Sequence, residues 1–256
     1  MSEIAVREQE RRPSRSASLP GGTGLVLSGF DGRTGTPAPL AAERSLLKRG
    51  FELVVAVAML ILLLPLMALV ALLIRLDSPG PIFFRCRRVG YRGHDLDMLK
   101  FRKMHDRATG AQLTLQADDR FTRVGKWLAR LKLDELPQLW HVIRGEMSLI
   151  GPRPEDHDFV ARFPRAYAEI TRVRPGIMGL SQLAFAGESA ILDPHAPLDH
   201  YLHEILPQKL HLDRLYAERW NIWLDIRIAL WTAVAVLLRR EVAVDRNSGE
   251  MGLRRR

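Results

Sequence analysis

One cysteine in 256 residues, Cys86, excludes an intramolecular disulfide and makes a reducing compartment the natural assumption. A lone cysteine of this kind reads as a small packed apolar side chain. There is no internal repeat, no phosphate-binding loop of the G-x-x-x-x-G-K-S/T type and no G-x-G-x-x-G turn, so solenoids and the common nucleotide folds have no support. His195, His200, His203 and His211 crowd one loop-like segment, but their spacing is irregular and no cysteine joins them. Surface histidines are expected there, not a metal centre. A secretory signal is also missing, because the first long apolar stretch lies too far from the N-terminus and is too long for an h-region.

What is present is positive charge and one uncharged run. The net charge of +9 and pI near 10.3 suit an anionic membrane surface, a nucleic acid or phosphate-bearing substrates, and composition alone does not choose among them. A hydrophobic content of 47% allows one compact domain plus attachments. Residues 1–45, rich in Arg, Ser, Gly, Pro and Thr, read as a disordered basic cytoplasmic tail. Residues 53–74 then run for 22 positions without a charge, about 33 Å of helix against a hydrocarbon core of roughly 30 Å. Pro65 lies near the middle of the run, where it kinks a helix, and both flanks are basic: Lys48 and Arg49 before, Arg75, Arg85, Arg87 and Arg88 after. Symmetrical flanks favour a bent helix, within residues 46–78, that enters and leaves by one face.

Beyond it, residues 77–81 (DSPGP) form a turn cluster and residues 82–88 a strand-like run. Residues 96–104, LDMLKFRKM, have an interfacial amphipathic reading in which Lys100, Arg102 and Lys103 meet lipid head groups. Arg120, Arg123, Lys126 and Arg130 fall on one helical stripe beside Val124, Leu128 and Leu131. Near the C-terminus, residues 220–238 hold Trp220, Trp223 and Trp231 but are interrupted by Asp225 and Arg227, which suits an amphipathic helix lying on a membrane, within residues 216–240. Residues 241–256 read as a basic, frayed tail.

The densest chemistry lies in residues 132–154, KLDELPQLWHVIRGEMSLIGPRP. Asp134 and Glu135 stand at the start of a helical pattern: Pro137 is tolerated in a first turn, Leu139, Val142 and Ile143 follow at helical spacing, and Gly145 is placed to end it. An Asp-Glu pair there is most often a cap and a first-turn charge. The same position favours an anionic ligand, because unpaired N–H groups and the helix dipole are positive. Gly151-Pro152-Arg153-Pro154 adds a stiff turn whose arginine suits forked contact with a phosphate.

The string resembles, nearly residue for residue, the signature of the bacterial sugar transferases, small monotopic phosphoglycosyl transferases: LDELPQL at 133–139, a G-E-M-S turn at 145–148 and GPRP at 151–154. DSPGP, RVG at 88–90, KFR-x-M at 100–104, PGI-x-GL at 175–180 and ILPQKL at 205–210 follow the same pattern, so the resemblance covers about residues 48–238. The chain departs from it with Glu52 for Asp, Leu64 before Pro65 for Ser, Met178 for Thr, His141, and Ala129 and Leu131 in the segment before Asp134.

The resemblance implies an α+β, mostly helical enzyme with a re-entrant membrane helix bent at Pro65, interfacial helices and a small mixed catalytic region over residues 79–215. It implies a bacterial inner-membrane site facing the cytoplasm, a nucleotide sugar and a polyprenyl phosphate as substrates, and membrane lipids and polysaccharide-assembly proteins as partners, with no nucleic acid. The sugar-1-phosphate would pass to undecaprenyl phosphate with release of UMP, in the initiating step of polysaccharide or glycoconjugate synthesis. In that scheme Asp134 attacks phosphorus, Glu135 binds Mg²⁺, Lys100, Arg102 and Arg153 hold phosphate, Arg130 or Lys132 stands in for a basic group of the pattern that is missing here, and Asp225 supports the site. Two other readings stay open at this point: a glycosyltransferase releasing UDP, and a non-catalytic membrane scaffold.

Overall fold

The computed structural model describes residues 46–254 apart from 107, 109–112 and 114–117. The basic tail expected over residues 1–45 lies outside the described residues. The fold is α+β and mostly helical.

Helix α1, Leu46–Asp77, has 32 residues, about 48 Å of helix, which is long enough to reach across a bilayer. Its buried residues form two groups: Lys48, Glu52 and Ala56 near the start, Val70 and Ile74 near the end. Each group keeps a four-residue spacing and so occupies one face of the helix. Between the groups Met59, Ile61, Leu62, Leu64 and Leu69 are exposed, and Pro65 lies inside this stretch. So continuous an apolar surface belongs in lipid, not water; the chain is membrane-associated.

After α1, strands β1 (Phe83–Val89) and β2 (Asp95–Phe101) pair antiparallel, with Phe84 opposite Lys100. Residues 96–101 are therefore a strand of the folded unit, not an interfacial amphipathic segment: Leu96 and Met98 face the core while Asp95 and Asp97 face out, a period of two. Helix α2 (Arg123–Leu131) is capped by Thr122, whose hydroxyl accepts the Gly125 N–H at 2.9 Å. Lys132 then takes a left-handed conformation, φ 58°, and reverses the chain into a 3₁₀ turn, Leu133–Gln138. Helix α3 (Leu139–Arg144) continues from it and ends at Gly145, φ 84°, as the pattern predicts.

Strand β3 (Ser148–Ile150) pairs parallel with β4 (Gly176–Met178), with helices α4 (His157–Arg162) and α5 (Pro164–Ile170) in the crossover. The GPRP turn after β3 rests directly on the PGI turn: a Cβ on Gly176 would come within 2.0 Å of the Gly151 nitrogen. Helix α6 (Leu180–Ala184), α7 (Leu206–Arg219) and α8 (Ile222–Leu237) complete the helical layer. Leu139, Val142, Met147, Ile150, Leu206, Leu212, Tyr216 and Ile228 belong to one buried cluster, and Val70, Ile74, Phe101 and Leu128 to a second.

On α8, Asp225 and Ile228 are buried while Trp223, Ile226, Leu230 and Leu237 are exposed at helical spacing. The C-terminal segment departs from the frayed tail expected of it. Strands β5 (Val242–Val244) and β6 (Met251–Leu253) form a hairpin that buries Val244 and Met251. The physical reason is local: Asp245 Oδ1 accepts the Asn247 and Ser248 N–H groups, and Gly249 supplies φ 74°.

Candidate active site

The left-handed Lys132 turns the Leu133–Gln138 segment inward, and Asp134 ends up only 1% exposed. Its Oδ2 accepts a hydrogen bond from the Lys103 ammonium at 2.8 Å. Its Oδ1 is buried, and among the described residues no group donates to it. A buried carboxylate oxygen without a donor is costly, so it marks a place where another group is meant to come.

Glu135 is held differently. Its Oε1 accepts from the Arg153 guanidinium at 2.8 Å and from the Lys100 ammonium at 3.4 Å. Burial alone would raise its carboxyl pKa, but the charges of Arg153 and Lys100 outweigh burial and hold it far below the ordinary range. Lys100 moves the opposite way: burial lowers its ammonium to about 8, Arg153 adds to the shift and Glu135 opposes it. Lys132, also lowered by burial, senses Glu135 and Asp134 as well. Four cations thus meet two carboxylates, leaving a positive balance suited to a diphosphate.

Second contacts fix this arrangement. His141 Nε2 accepts the Leu99 N–H at 3.0 Å, so its Nδ1 carries the hydrogen that faces Glu146 Oε2 at 2.6 Å. That bond ties α3 to β2 beside Lys100. Behind Arg153, the strand β3 is bound to α1: Glu52 accepts from the Ser148 hydroxyl and from the Leu149 N–H, and Lys48 donates to the Ile150 carbonyl at 3.2 Å. Lys48 also meets Asp225 Oδ2 at 2.5 Å, and Tyr216 and Trp220 donate to Asp225 at 2.8 and 2.9 Å.

Of the residues singled out from sequence, Asp134, Glu135, Lys100 and Arg153 are together. Arg102 is elsewhere: it is buried, and its guanidinium donates to the Pro79 and Ser78 carbonyls and the Ser78 hydroxyl, closing the DSPGP turn. Strand β2 ends at Phe101, so the alternation that would have put Lys100 and Arg102 on one face stops between them. Arg130 is exposed, its guanidinium 5.9 Å from the Trp127 ring, and Lys132 stands nearer the carboxylates. Asp225 serves the α1 anchor and Pro65 lies in the exposed middle of α1. Lys103, assigned to lipid head groups from sequence, proves to be the partner of Asp134; its place just past the strand end hid it from a parity argument.

Among the described residues no group of three or more His, Cys, Asp or Glu is clustered to hold a metal. Mg²⁺ does not need one, since it keeps several waters and is held by one or two carboxylates with substrate phosphates. An ionised Glu135 beside Asp134 fits an ion that arrives with a diphosphate.

A sequence model of the bacterial sugar transferases matches residues 43–239. The chain is 38% identical over 206 residues to the UDP-N-acetylgalactosamine-undecaprenyl-phosphate N-acetylgalactosaminephosphotransferase of Aeromonas hydrophila, covering 78% of this chain but only 45% of that protein. It is 39% identical over 212 residues to the UDP-glucose:undecaprenyl-phosphate glucose-1-phosphate transferase of Caulobacter vibrioides, covering 80% of this chain and 74% of the relative. With the exopolysaccharide production protein ExoY of Rhizobium meliloti it shares 31% over 224 residues, 81% of this chain and 91% of the relative.

Proposed function

The chain belongs to the bacterial sugar transferase family, and from that premise we propose that it moves a sugar-1-phosphate from a UDP-sugar to undecaprenyl phosphate, releasing UMP. The step would initiate exopolysaccharide or a related glycoconjugate, as the names of its relatives suggest. The observation that carries the reading is Asp134: a carboxylate buried among cations, with one oxygen fixed and the other without a donor among the described residues.

In this mechanism the diphosphate of the UDP-sugar enters the positive ground between Lys100, Lys132 and Arg153. Asp134 attacks the phosphorus attached to the sugar and UMP departs, which splits one difficult transfer into two easier ones. Undecaprenyl phosphate then attacks the phosphosugar-enzyme and restores the carboxylate. Glu135 holds Arg153 and Lys100 in register with the phosphate oxygens, and it is the residue that would hold Mg²⁺. That ion, when bound, neutralises phosphate charge as it builds up.

The same reading places the catalytic region on the cytoplasmic face of the inner membrane, with α1 as a re-entrant helix. Support comes from its two ends. Lys48 and Glu52 dock on β3 and α8, Asp77 Oδ2 accepts the Val124 N–H at 3.0 Å, and Val70 and Ile74 pack beside Phe101 and Leu128. Both ends thus grip the same folded unit, while the middle with Pro65 is left to lipid. The exposed face of α8 suits the interface, and the positioning of a site at the depth of a lipid phosphate is itself an entropic gain.

The test is nucleotide release from purified protein in detergent with undecaprenyl phosphate, Mg²⁺ and a panel of UDP-sugars that includes glucose, galactose and N-acetylated and diamino sugars. UMP from one sugar supports the reading and names the donor. UDP would mean glycosyl transfer, and silence beside an active relative would leave a scaffold.

A further inference from the structure

Lys103 is seated with unusual care for a residue outside any strand or helix. Its carbonyl accepts the Thr122 N–H at 3.1 Å, and Met104 bridges to Phe121 just beyond it. Gly125 of α2 lies so close that a Cβ there would fall 1.8 Å from the Lys103 carbonyl oxygen. The start of α2 therefore clamps this backbone and does so only because position 125 has no side chain. From that seat the ammonium passes 5.9 Å from the centre of the Phe121 ring and reaches Asp134 Oδ2 at 2.8 Å. Asp134 keeps its other oxygen buried and, among the described residues, unpartnered.

We propose that Lys103 is a positioning residue that fixes Asp134 by Oδ2 and so selects Oδ1 as the attacking oxygen. The inference rests on the reading of Asp134 as the nucleophile. In the first step an Oδ1 lone pair bonds to the phosphorus attached to the sugar. The bond from that phosphorus to the bridging oxygen breaks, and its electron pair leaves with UMP. In the second step an oxygen of undecaprenyl phosphate bonds to the same phosphorus, the Oδ1–phosphorus bond breaks, and the electron pair returns to Asp134. Lys103 keeps its protons throughout. It holds the carboxyl plane in one orientation through both steps and pairs the carboxylate each time its charge reappears. The clamp by Thr122 and Gly125 fixes the backbone from which the ammonium reaches Oδ2.

The experiment uses the full chain in detergent with sugar-labelled UDP-glucose or UDP-N-acetylgalactosamine, whichever the unaltered protein turns over. Labelled adduct is followed in a single turnover without lipid acceptor, in the unaltered protein, Asp134→Asn, Lys103→Met and Lys103→Arg. Lys103→Met should slow adduct formation by about 10–100-fold, the effect of a misplaced nucleophile, with KM for the nucleotide sugar within about threefold. Lys103→Arg should recover most of that rate. Adduct formation in Lys103→Met within about threefold of the unaltered rate overturns the proposal, as does a loss seen only as a higher KM, which would make Lys103 a substrate ligand. Should Lys103→Met fail to fold, Lys103→Gln is judged by the same criteria. If the unaltered protein forms no adduct that depends on Asp134, the reading beneath fails; if it does and the Lys103 variants match it, only the role of Lys103 fails.

Discussion

Two of the places where the described residues bury carboxylates beside lysines are finished differently. At the α1 anchor, Lys48 donates to Asp225, Tyr216 and the Ile150 carbonyl, while Glu52 takes the Ser148 hydroxyl and the Leu149 N–H. Around Asp134 the cations outnumber the carboxylates and one buried oxygen has no donor. Partners that complete one another make a joint; partners that leave one oxygen open and positive charge in excess make a place for an anion. Burial and charge type are shared by the two sets, so completeness and the balance of charge are what distinguish them.

Four changes would break or sharpen that contrast. Asp134→Asn keeps the shape and an acceptor for Lys103 but removes the carboxylate proposed as the nucleophile. Turnover should fall by roughly 10³-fold or more with little change in thermal unfolding, measured as UMP release beside a melting curve. At the anchor, Lys48→Met leaves Glu52 and Asp225 without their ammonium. It should lower stability by about 3–5 kcal/mol, seen as a large drop in melting temperature, while the folded fraction keeps most of its kcat. A similar loss of activity per folded molecule would erase the distinction.

The third change is in pH. Burial holds Lys100 at about 8, and the proposed mechanism uses its charged form to bind phosphate, so that charge is lost as pH rises through that value. kcat/KM should fall above about pH 8, approaching tenfold per unit, and Lys100→Arg should move the falling limb to higher pH. The smallest effect belongs to Arg130→Ala. Exposed on α2 and stacked near Trp127, it should change activity by less than about twofold, whereas a tenfold loss would put it in the phosphate-binding group.

Much of this architecture is legible in the residues themselves. The stretch from Lys132 to Pro154 announces its helix by Pro137, its end by Gly145 and the turn that carries Arg153 by Gly151 and its two prolines. The uncharged run and its basic flanks mark α1. What stays hidden depends on where elements stop. Strand β2 ends at Phe101, so Arg102 turns back to the DSPGP turn and Lys103 reaches Asp134. Parity along a strand cannot sort them. The left-handed turn at Lys132 brings that lysine, not Arg130 of the basic stripe, towards the carboxylates, and a lysine gives no warning of that conformation. The C-terminal hairpin does carry a signal, Asp245 to Gly249 between two short apolar runs, but it is brief and lies inside a basic segment.

The most direct test of the account is to trap the adduct. The protein is mixed with a sugar-labelled UDP-sugar and Mg²⁺ without lipid acceptor, quenched in acid, digested and mapped. The account requires label on the peptide holding Asp134, released on addition of undecaprenyl phosphate and absent in Asp134→Asn. An active protein that carries no label, or one whose label persists in Asp134→Asn, would contradict it.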